Sequence, residues 1–291
     1  MKVALITVNF NGAEKTIELL ESLRSQTDLD FEMIVVDNSS GAEDILKLES
    51  YISSGQNFKL IKNSANLGFS GGNNVGIKKV LAEGFEWIVL INNDTHVESQ
   101  FIFQLKTFAS KHIGEIIALP TNEGDRTAYC GIVEWLKPTL PHQYKSIDNN
   151  YLQEKGYVIG AGLGIHKSVF ERIGFLDERY FLYFEDADFS MRAKQTGITI
   201  DIASVAIHHS VSSTTKKLGS PLLLRYHYRN AHLFNWKNGP TWIKLILPFW
   251  SLYISIKQII KIILRINLEQ SKAILKGILD FYFNRMGKIK V

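Results

Sequence analysis

The chain predicts an α/β fold, a mostly parallel sheet flanked by helices, with an amphipathic helical extension at its C-terminal end. Three observations carry this. Short apolar runs alternate with helically spaced apolar residues over residues 1–120, as in parallel sheets covered on both faces. Polar residues gather where several of those runs end. The charge also splits: residues 1–214 hold 19 Lys and Arg against 27 Asp and Glu, whereas residues 215–291 hold 14 against 2. The net charge of +4 thus conceals an acidic front and a basic tail. With 45% apolar residues, 21% charged residues, 21 Gly and 6 Pro, the 291-residue chain is neither disordered nor low in complexity. The single Cys130 excludes an intramolecular disulfide framework and a Cys-built zinc site, and fits a reducing compartment.

The elements follow in order. Val3–Val8 is a buried strand; it is too short for a secretory segment and is followed at once by polar residues. Ala13–Ser25 is a helix carrying Ile17, Leu20 and Leu23 on one face. Phe31–Val36 and Phe58–Ile61 are strands. A Gly- and Asn-rich turn over Asn66 to Asn74 leads into a helix from Asn74 to Glu83. Trp87–Ile91 is a fourth strand, Gln100–Ser110 a helix and Ile116–Leu119 a fifth strand. Residues 121–156 read as an irregular loop over the crevice or an acceptor-side insertion. Lys167–Ile173 and Glu185–Gln195 are helical, and Thr199–Ile202 and Val205–Ile207 are short strands.

Ligands of open parallel sheets sit beyond the carboxyl ends of the strands. Asn9, Asn11, Asp37, Asn92 and Asp94 stand at three such ends, although Asn and Asp also serve there as turn formers and caps. The glycines between Asn66 and Asn74 permit close approach to a phosphate, or equally a tight turn. Asp94 can hold Mg²⁺ or Mn²⁺ against a diphosphate, or cap a helix. Glu185, Asp186 and Asp188 follow the aromatic run Tyr180 to Phe184. Crowded carboxylates raise one another's pKa, which suits a base, and they equally suit a helix N-terminus. On a helix, Asp188 and Arg192 would pair at its surface. His208 and His209 end an apolar strand. They point to opposite sides of it, so one of them at most is a metal ligand.

With these segments in order, the sequence resembles the family 2 glycosyltransferases of the GT-A fold, a Rossmann-like architecture. It is most similar to their bacterial rhamnosyltransferase-like branch. The resemblance rests on Thr7-Val8-Asn9-Phe10-Asn11-Gly12, Val35-Val36-Asp37-Asn38-Ser39-Ser40, Asn66 through Asn74, and Leu90-Ile91-Asn92-Asn93-Asp94-Thr95. It continues through Gly160-Ala161-Gly162, Phe175-Leu176-Asp177-Glu178, Glu185 through Asp188, and His208-His209-Ser210. It implies that Asp37 binds the nucleotide base and that Val8, Phe10 and Asn11 line the nucleoside pocket. Asn66, Gly68, Asn92 and Asn93 would lie beside the nucleotide-sugar. Asp94 would ligate the metal, with His208 preferred over His209 as the second ligand. Asp186 would deprotonate the acceptor, supported by Glu185. Asn92 replaces the first Asp of the family's Asp-x-Asp motif, which removes one negative charge from the metal site.

The resemblance implies an inverting transfer from a nucleotide-sugar, dTDP-rhamnose first, to a saccharide or polyprenyl-diphosphate-linked acceptor in bacterial cell-surface polysaccharide biosynthesis. Two other readings stand beside it. A sugar-phosphate nucleotidyltransferase would place Lys or Arg after the first strand, where Asn9 to Gly12 stand. A non-catalytic membrane scaffold would keep only a vestigial nucleotide pocket.

The catalytic domain is expected over residues 1–215 and the basic helical region over 216–291. In the latter, Ile259 to Ile266 form an apolar face, and Lys257, Lys261, Arg265, Glu269, Lys272 and Lys276 recur every three or four residues. This reads as one amphipathic helix for a membrane interface or an oligomer contact. Charge alone fits nucleic acid too, but the apolar face and aromatic residues favour a membrane and no nucleic acid. Leu245 to Ile256, between Lys244 and Lys257 and containing Pro248, is too short to span a bilayer. Arg225, Arg229 and Lys237 are expected to form a basic patch for the acceptor diphosphate. The protein is expected in the cytoplasm, peripheral on the inner face of the membrane.

Overall fold

The computed structural model describes residues 1–53, 57–111, 115–209 and 220–290. Strands β1 (Val3–Asn9), β2 (Phe31–Asp37), β3 (Phe58–Lys62) and β4 (Trp87–Ile91) run parallel, with β1 between β2 and β4. β5 (Thr95–His96) follows at once. β6 (Ile116–Ala118) extends the main sheet, and β7 (Thr121–Glu123), β8 (Arg126–Ala128), β9 (Cys130–Ile132), β10 (His142–Gln143) and β11 (Gly156–Tyr157) lie outside it. β12 (Gly162–His166) enters antiparallel between β4 and β6, and β13 (Ile200–Ile202) pairs parallel with β6. The seven-stranded order is β13-β6-β12-β4-β1-β2-β3. With β14 (Ile207–His209), β5, β7 and β8 make a four-stranded sheet, while β9, β10 and β11 make a three-stranded one. Residues 121–143 therefore contain only two- and three-residue strands, too short to leave a periodic signal.

Alternation along the strands divides the core. Val3 and Leu5 of β1 join Met33, Val35 and Val89 beneath helices α1 (Ala13–Arg24), α2 (Ala42–Ile52) and α4 (Phe101–Lys111). Ala4 and Ile6 join Ile34, Val36, Ile88 and Leu90 on the other face, beneath α3 (Gly68–Ala82), α6 (Lys167–Ile173) and α7 (Glu185–Gln195). A short α5 (Asn149–Lys155) precedes β11. Helix α2 lies in a segment to which the sequence reading assigned no element.

Helix α3 starts at Gly68, so the expected Gly-rich turn is its first two turns. A Cβ on Gly72 would stand 2.9 Å from the Val8 side chain, and one on Gly76 would stand 2.6 Å from Ile6. Close packing on β1 thus sets these glycines and overrides their poor helix propensity.

After residue 220 come α8 (Pro221–Asn238), α9 (Thr241–Ile263) and α10 (Leu268–Tyr282). The expected single amphipathic helix is in fact two. Arg265 and Asn267 take left-handed φ of 56° and 46° and reverse the chain. α10 then returns against α8, where a Cβ on Gly277 would stand 2.5 Å from the Arg225 carbonyl. α9 runs through Lys244, Pro248 and Lys257 to 23 residues. It is long and apolar enough by composition to cross a bilayer, although the sequence reading stopped at the lysines. Its buried residues Ile243, Leu247, Ser251, Ile254 and Gln258 form one stripe, and most of the remaining face is apolar and exposed.

Candidate active site

The carboxyl ends of β1 and β2 are locked together by Asn9. Its amide donates to Asp37 Oδ1 (2.8 Å), Asp44 Oδ2 (2.8 Å) and Ser40 Oγ (3.1 Å), and its carbonyl accepts from Thr16 Oγ1 (2.9 Å). Asp37 is fully buried. It also accepts from the Ser40 hydroxyl and amide. The strand-end polar residues therefore first build the crevice wall. Asn93 extends the chain to β4 by donating to Thr16 Oγ1 (3.1 Å).

The other expected nucleoside-pocket residues frame this wall. Val8 and Asn92 are half-buried. Phe10 is 50% exposed, an aromatic ring left open at the rim. Asn11, at φ 51°, accepts from the Gly41 amide (2.9 Å). Asn66 accepts from the Gly68 amide (2.9 Å), and Gly68 sits at φ 74° under the Phe181 carbonyl, where a Cβ has no room. Asn38, which the sequence reading did not single out as a site residue, donates to the Gly68 carbonyl (2.8 Å) and ties β2 to α3.

At the end of β4, Asp94 Oδ1 lies 3.0 Å from His209 Nε2. His208 points the other way, 3.2 Å from Glu98 and stacked on His96 with ring centroids 4.7 Å apart. The pairing of β14 with β5 turns His209, rather than the preferred His208, toward Asp94. Adjacent donors of an octahedral Mg²⁺ shell at about 2.1 Å stand about 3.0 Å apart, so this pair matches one edge of such a shell. Among the described residues no three His, Cys, Asp or Glu gather around a common point. A cation here would take its remaining donors from a bound diphosphate and water.

His209 also lines a cavity of about 510 Å³ shared with Asp186, Glu185, Tyr183, His142 and His227. Asp186 heads α7. Its Oδ2 accepts from the Gly160 amide (2.9 Å) and its Oδ1 from the Ala187 amide (2.8 Å). Burial raises its pKa, and these two bonds oppose the rise. Glu185 is more deeply enclosed, and burial followed by repulsion from Asp186 holds its pKa well above the ordinary range. The two amide bonds favour the charged form of Asp186, whereas Glu185 has burial and its neighbour's charge both acting against ionisation. Among the described residues, Tyr183 Oη and Glu185 Oε2 are buried without a hydrogen-bond partner, as expected of groups that a polar ligand would satisfy. The chain leading in is strained: Phe181, Tyr183 and Phe184 all adopt φ between 64° and 75°.

The sequence reading did not foresee how much of this site comes from α8. Asn230 donates to the carbonyls of Tyr180 (2.9 Å), Leu182 (2.7 Å) and Tyr183 (3.0 Å), holding the strained segment. His227 stacks on Tyr183 at 4.1 Å, and burial pushes its pKa down to about 4, so it is neutral. One apolar cluster joins Tyr157, Tyr180 and Phe184 to Ala231, Leu233 and Phe234 across the expected division at 215.

Asp188 is wholly buried rather than at the surface. It binds Arg192 (2.9 Å), Lys237 (2.8 Å), Asn238 (2.8 Å) and Tyr180 (3.2 Å). The expected basic patch is likewise corrected. Arg225 pairs with Asp280 (2.6 Å), Arg229 is fully buried against the Tyr180 and Gly287 carbonyls, and Lys237 bridges Asp177 and Asp188.

Comparison with known proteins bears on the family and the fold. The profile of Glycosyl transferase family 2 matches residues 4–174. The low-salt glycan biosynthesis hexosyltransferase Agl10 of Haloferax volcanii is 31% identical over 231 residues, covering 74% of this chain and 69% of that protein. The dTDP-rhamnosyl transferase RfbF of Shigella flexneri is 24% identical over 242 residues, covering 80% and 79%. The crystal structure of S. aureus TarS 1-349 in complex with UDP-GlcNAc superposes with a TM-score of 0.62 at 17% identity, over 97% of this chain and 80% of that one. At that identity the likeness speaks for the fold.

Proposed function

The chain belongs to glycosyl transferase family 2, and on that premise we propose that it transfers a hexosyl or deoxyhexosyl unit with inversion. The donor is a nucleotide-sugar, dTDP-rhamnose in the first instance. The acceptor is a saccharide or a polyprenyl-diphosphate-linked saccharide in cell-surface polysaccharide assembly. One observation carries the reading: the half-buried Asp186 carboxylate borders the same cavity as His209, which is paired to Asp94.

The chemistry follows from these groups. The acceptor hydroxyl donates to Asp186 and attacks the anomeric carbon from the face opposite the diphosphate. The new C–O bond forms as the bond to the diphosphate oxygen breaks, and the proton passes to Asp186. The Gly160 and Ala187 amides keep Asp186 ionised and aimed. Tyr183 and Glu185 offer partners for further acceptor hydroxyls. Phe10, at the open rim, suits stacking with the donor's base, and the Asn9–Asp37–Ser40 network fixes the backbone around it. A divalent cation held by Asp94 and His209 would neutralise the leaving diphosphate. A single base beside a prebuilt leaving group favours transfer over hydrolysis, which needs an acid and a base.

The exposed aliphatic and aromatic face of α9, from Trp242 through Phe249 to Ile263, supports peripheral contact with the inner face of the cytoplasmic membrane. Lys244, Lys257 and Lys261 interrupt the helix at intervals that suit lying in the interface plane. The same face would also accommodate a second copy of the chain.

A thermal-shift series with UDP, dTDP, GDP and CMP, each with and without Mn²⁺ or Mg²⁺, tests the assignment. A ligand that binds only the folded state raises its stability by mass action. A shift with one nucleoside diphosphate, enlarged by metal, is expected. No shift with any of them in folded protein would refute the donor crevice.

A further inference from the structure

A second cavity of about 470 Å³ lies between α8, α9 and the segment Trp135–Pro138. Its walls include Trp135, Tyr228, Leu247, Trp250, Tyr253 and Ile254. The polar residues within it are already engaged. His232 bonds the Tyr228 carbonyl (2.6 Å) and Ser251 Oγ (2.9 Å), while Asn235 bonds the Leu136 amide (2.9 Å) and the Ala231 carbonyl (2.6 Å). What remains open is aromatic and aliphatic. Two exposed lysines, Lys137 and Lys257, complete the lining, which among the described residues contains no carboxylate. The cavity therefore combines an apolar interior with cationic charge at its solvent side.

Two features of position bear on the occupant. Trp135 to Pro138 line this cavity, and the next two residues, Thr139 and Leu140, line the cavity that contains Asp186. One six-residue wall thus separates them. On its other side, Trp250, Tyr253 and Lys257 belong to α9, whose neighbours Phe249, Leu252 and Ile256 are 74%, 59% and 49% exposed. The groove thus lies between the apolar outer face of the protein and the wall of the cavity that contains Asp186.

We infer that this groove binds the isoprenoid chain of a lipid-linked acceptor, with its phosphate held by Lys137 and Lys257. This rests on the acceptor-transfer reading above and deepens it. An isoprenoid phosphate carries a branched apolar chain joined to an anion, and the groove offers both complements. Its position lets the chain leave toward the membrane-facing helix while the glycan reaches Asp186. Both parts of the acceptor are then held at once, which raises the effective concentration of the reacting hydroxyl.

The test is calorimetric titration of the full chain with farnesyl diphosphate, farnesol, inorganic diphosphate and a short-chain phosphatidylglycerol. Each titration is run with the donor crevice saturated by the nucleoside diphosphate that gives a thermal shift. Farnesyl diphosphate should bind under saturation, and more tightly than farnesol or phosphatidylglycerol; inorganic diphosphate should not bind. Trp250→Ala should weaken farnesyl diphosphate by about tenfold or more, with farnesol weakened in parallel. Lys257→Glu should weaken farnesyl diphosphate and leave farnesol unchanged. Both variants should keep the nucleotide-induced thermal shift, which shows that they fold. Equal affinity in wild type and both variants, loss of binding under nucleotide saturation, or equally tight phosphatidylglycerol would overturn the inference. Failure of the nucleotide shift itself would instead sink the transferase reading.

Discussion

Removing the Asp188 carboxylate should loosen the catalytic segment from behind. Asp188 is fully buried and accepts from four side chains: Tyr180, Arg192, Lys237 and Asn238. In Asp188→Ala, Arg192 retains the Ile173 and Phe175 carbonyls, and Lys237 retains Asp177. Tyr180 Oη and Asn238 Nδ2 lose their side-chain acceptor, each at about 1–3 kcal/mol. Together these come to about 2–6 kcal/mol, which brackets the about 3–5 kcal/mol usually lost when a buried ion pair is broken from one side. At about 2–4 °C per kcal/mol in a protein of this size, Tm should fall by about 10 °C. Differential scanning fluorimetry measures it. Lys47→Ala, at an exposed pair with Glu14 and Glu43, should leave Tm unmoved and serves as the control. A fall of under about 2 °C in Asp188→Ala would refute the buried network and its role in binding α8 to α7.

Three other outcomes are expected. Asp186→Asn should retain nucleotide binding in the thermal-shift assay while transfer to acceptor falls about 10²–10⁴-fold; unchanged turnover would remove Asp186 as the base. Asp94→Ala and His209→Ala should each abolish the metal-dependent part of the nucleotide shift, whereas His208→Ala should preserve it; the reverse pattern would restore His208 as the ligand. Burial pushes the pKa of His232 down to about 4. The fold therefore disfavours the cation, so the residue's contribution is complete above about pH 6.5 and is lost as pH falls toward 4. The stability advantage of wild type over His232→Gln should shrink across that window by about 3 kcal/mol. Urea titrations at pH 7 and pH 4.5 measure it, and a constant advantage would contradict the assignment.

Much of the site was legible because its residues sit at strand ends. Asp94, Asp37 and Asn11 follow apolar runs that could only be buried strands, and the chain must turn after each. Asp186 stood out for a different reason: carboxylates crowded after an aromatic run suit a helix start or a base, and here they start α7 and border the cavity. The choice between His208 and His209 was not legible. It depends on which face of a three-residue strand meets β5, and a one-residue shift in register reverses it. The Gly-rich segment misled because glycine signals a turn in isolation, whereas close packing against Val8 and Ile6 makes it the start of a helix.

The sequence by itself determined the parallel sheet, the strand-end crevice, the acidic front and the basic, apolar tail, because periodicity and composition are local properties. Only the tertiary structure decided what the tail does. Arg225, Arg229 and Lys237 read as a basic patch along the chain, yet folding pairs or buries all three. Asn230 and His227, unremarkable as letters, reach across nearly fifty residues of sequence to hold the Tyr180–Phe184 segment and to wall the cavity beside Asp186. Such contacts depend on how α8 docks on α7. Docking is settled by shape and by the summed burial of many side chains, which no short window of sequence contains.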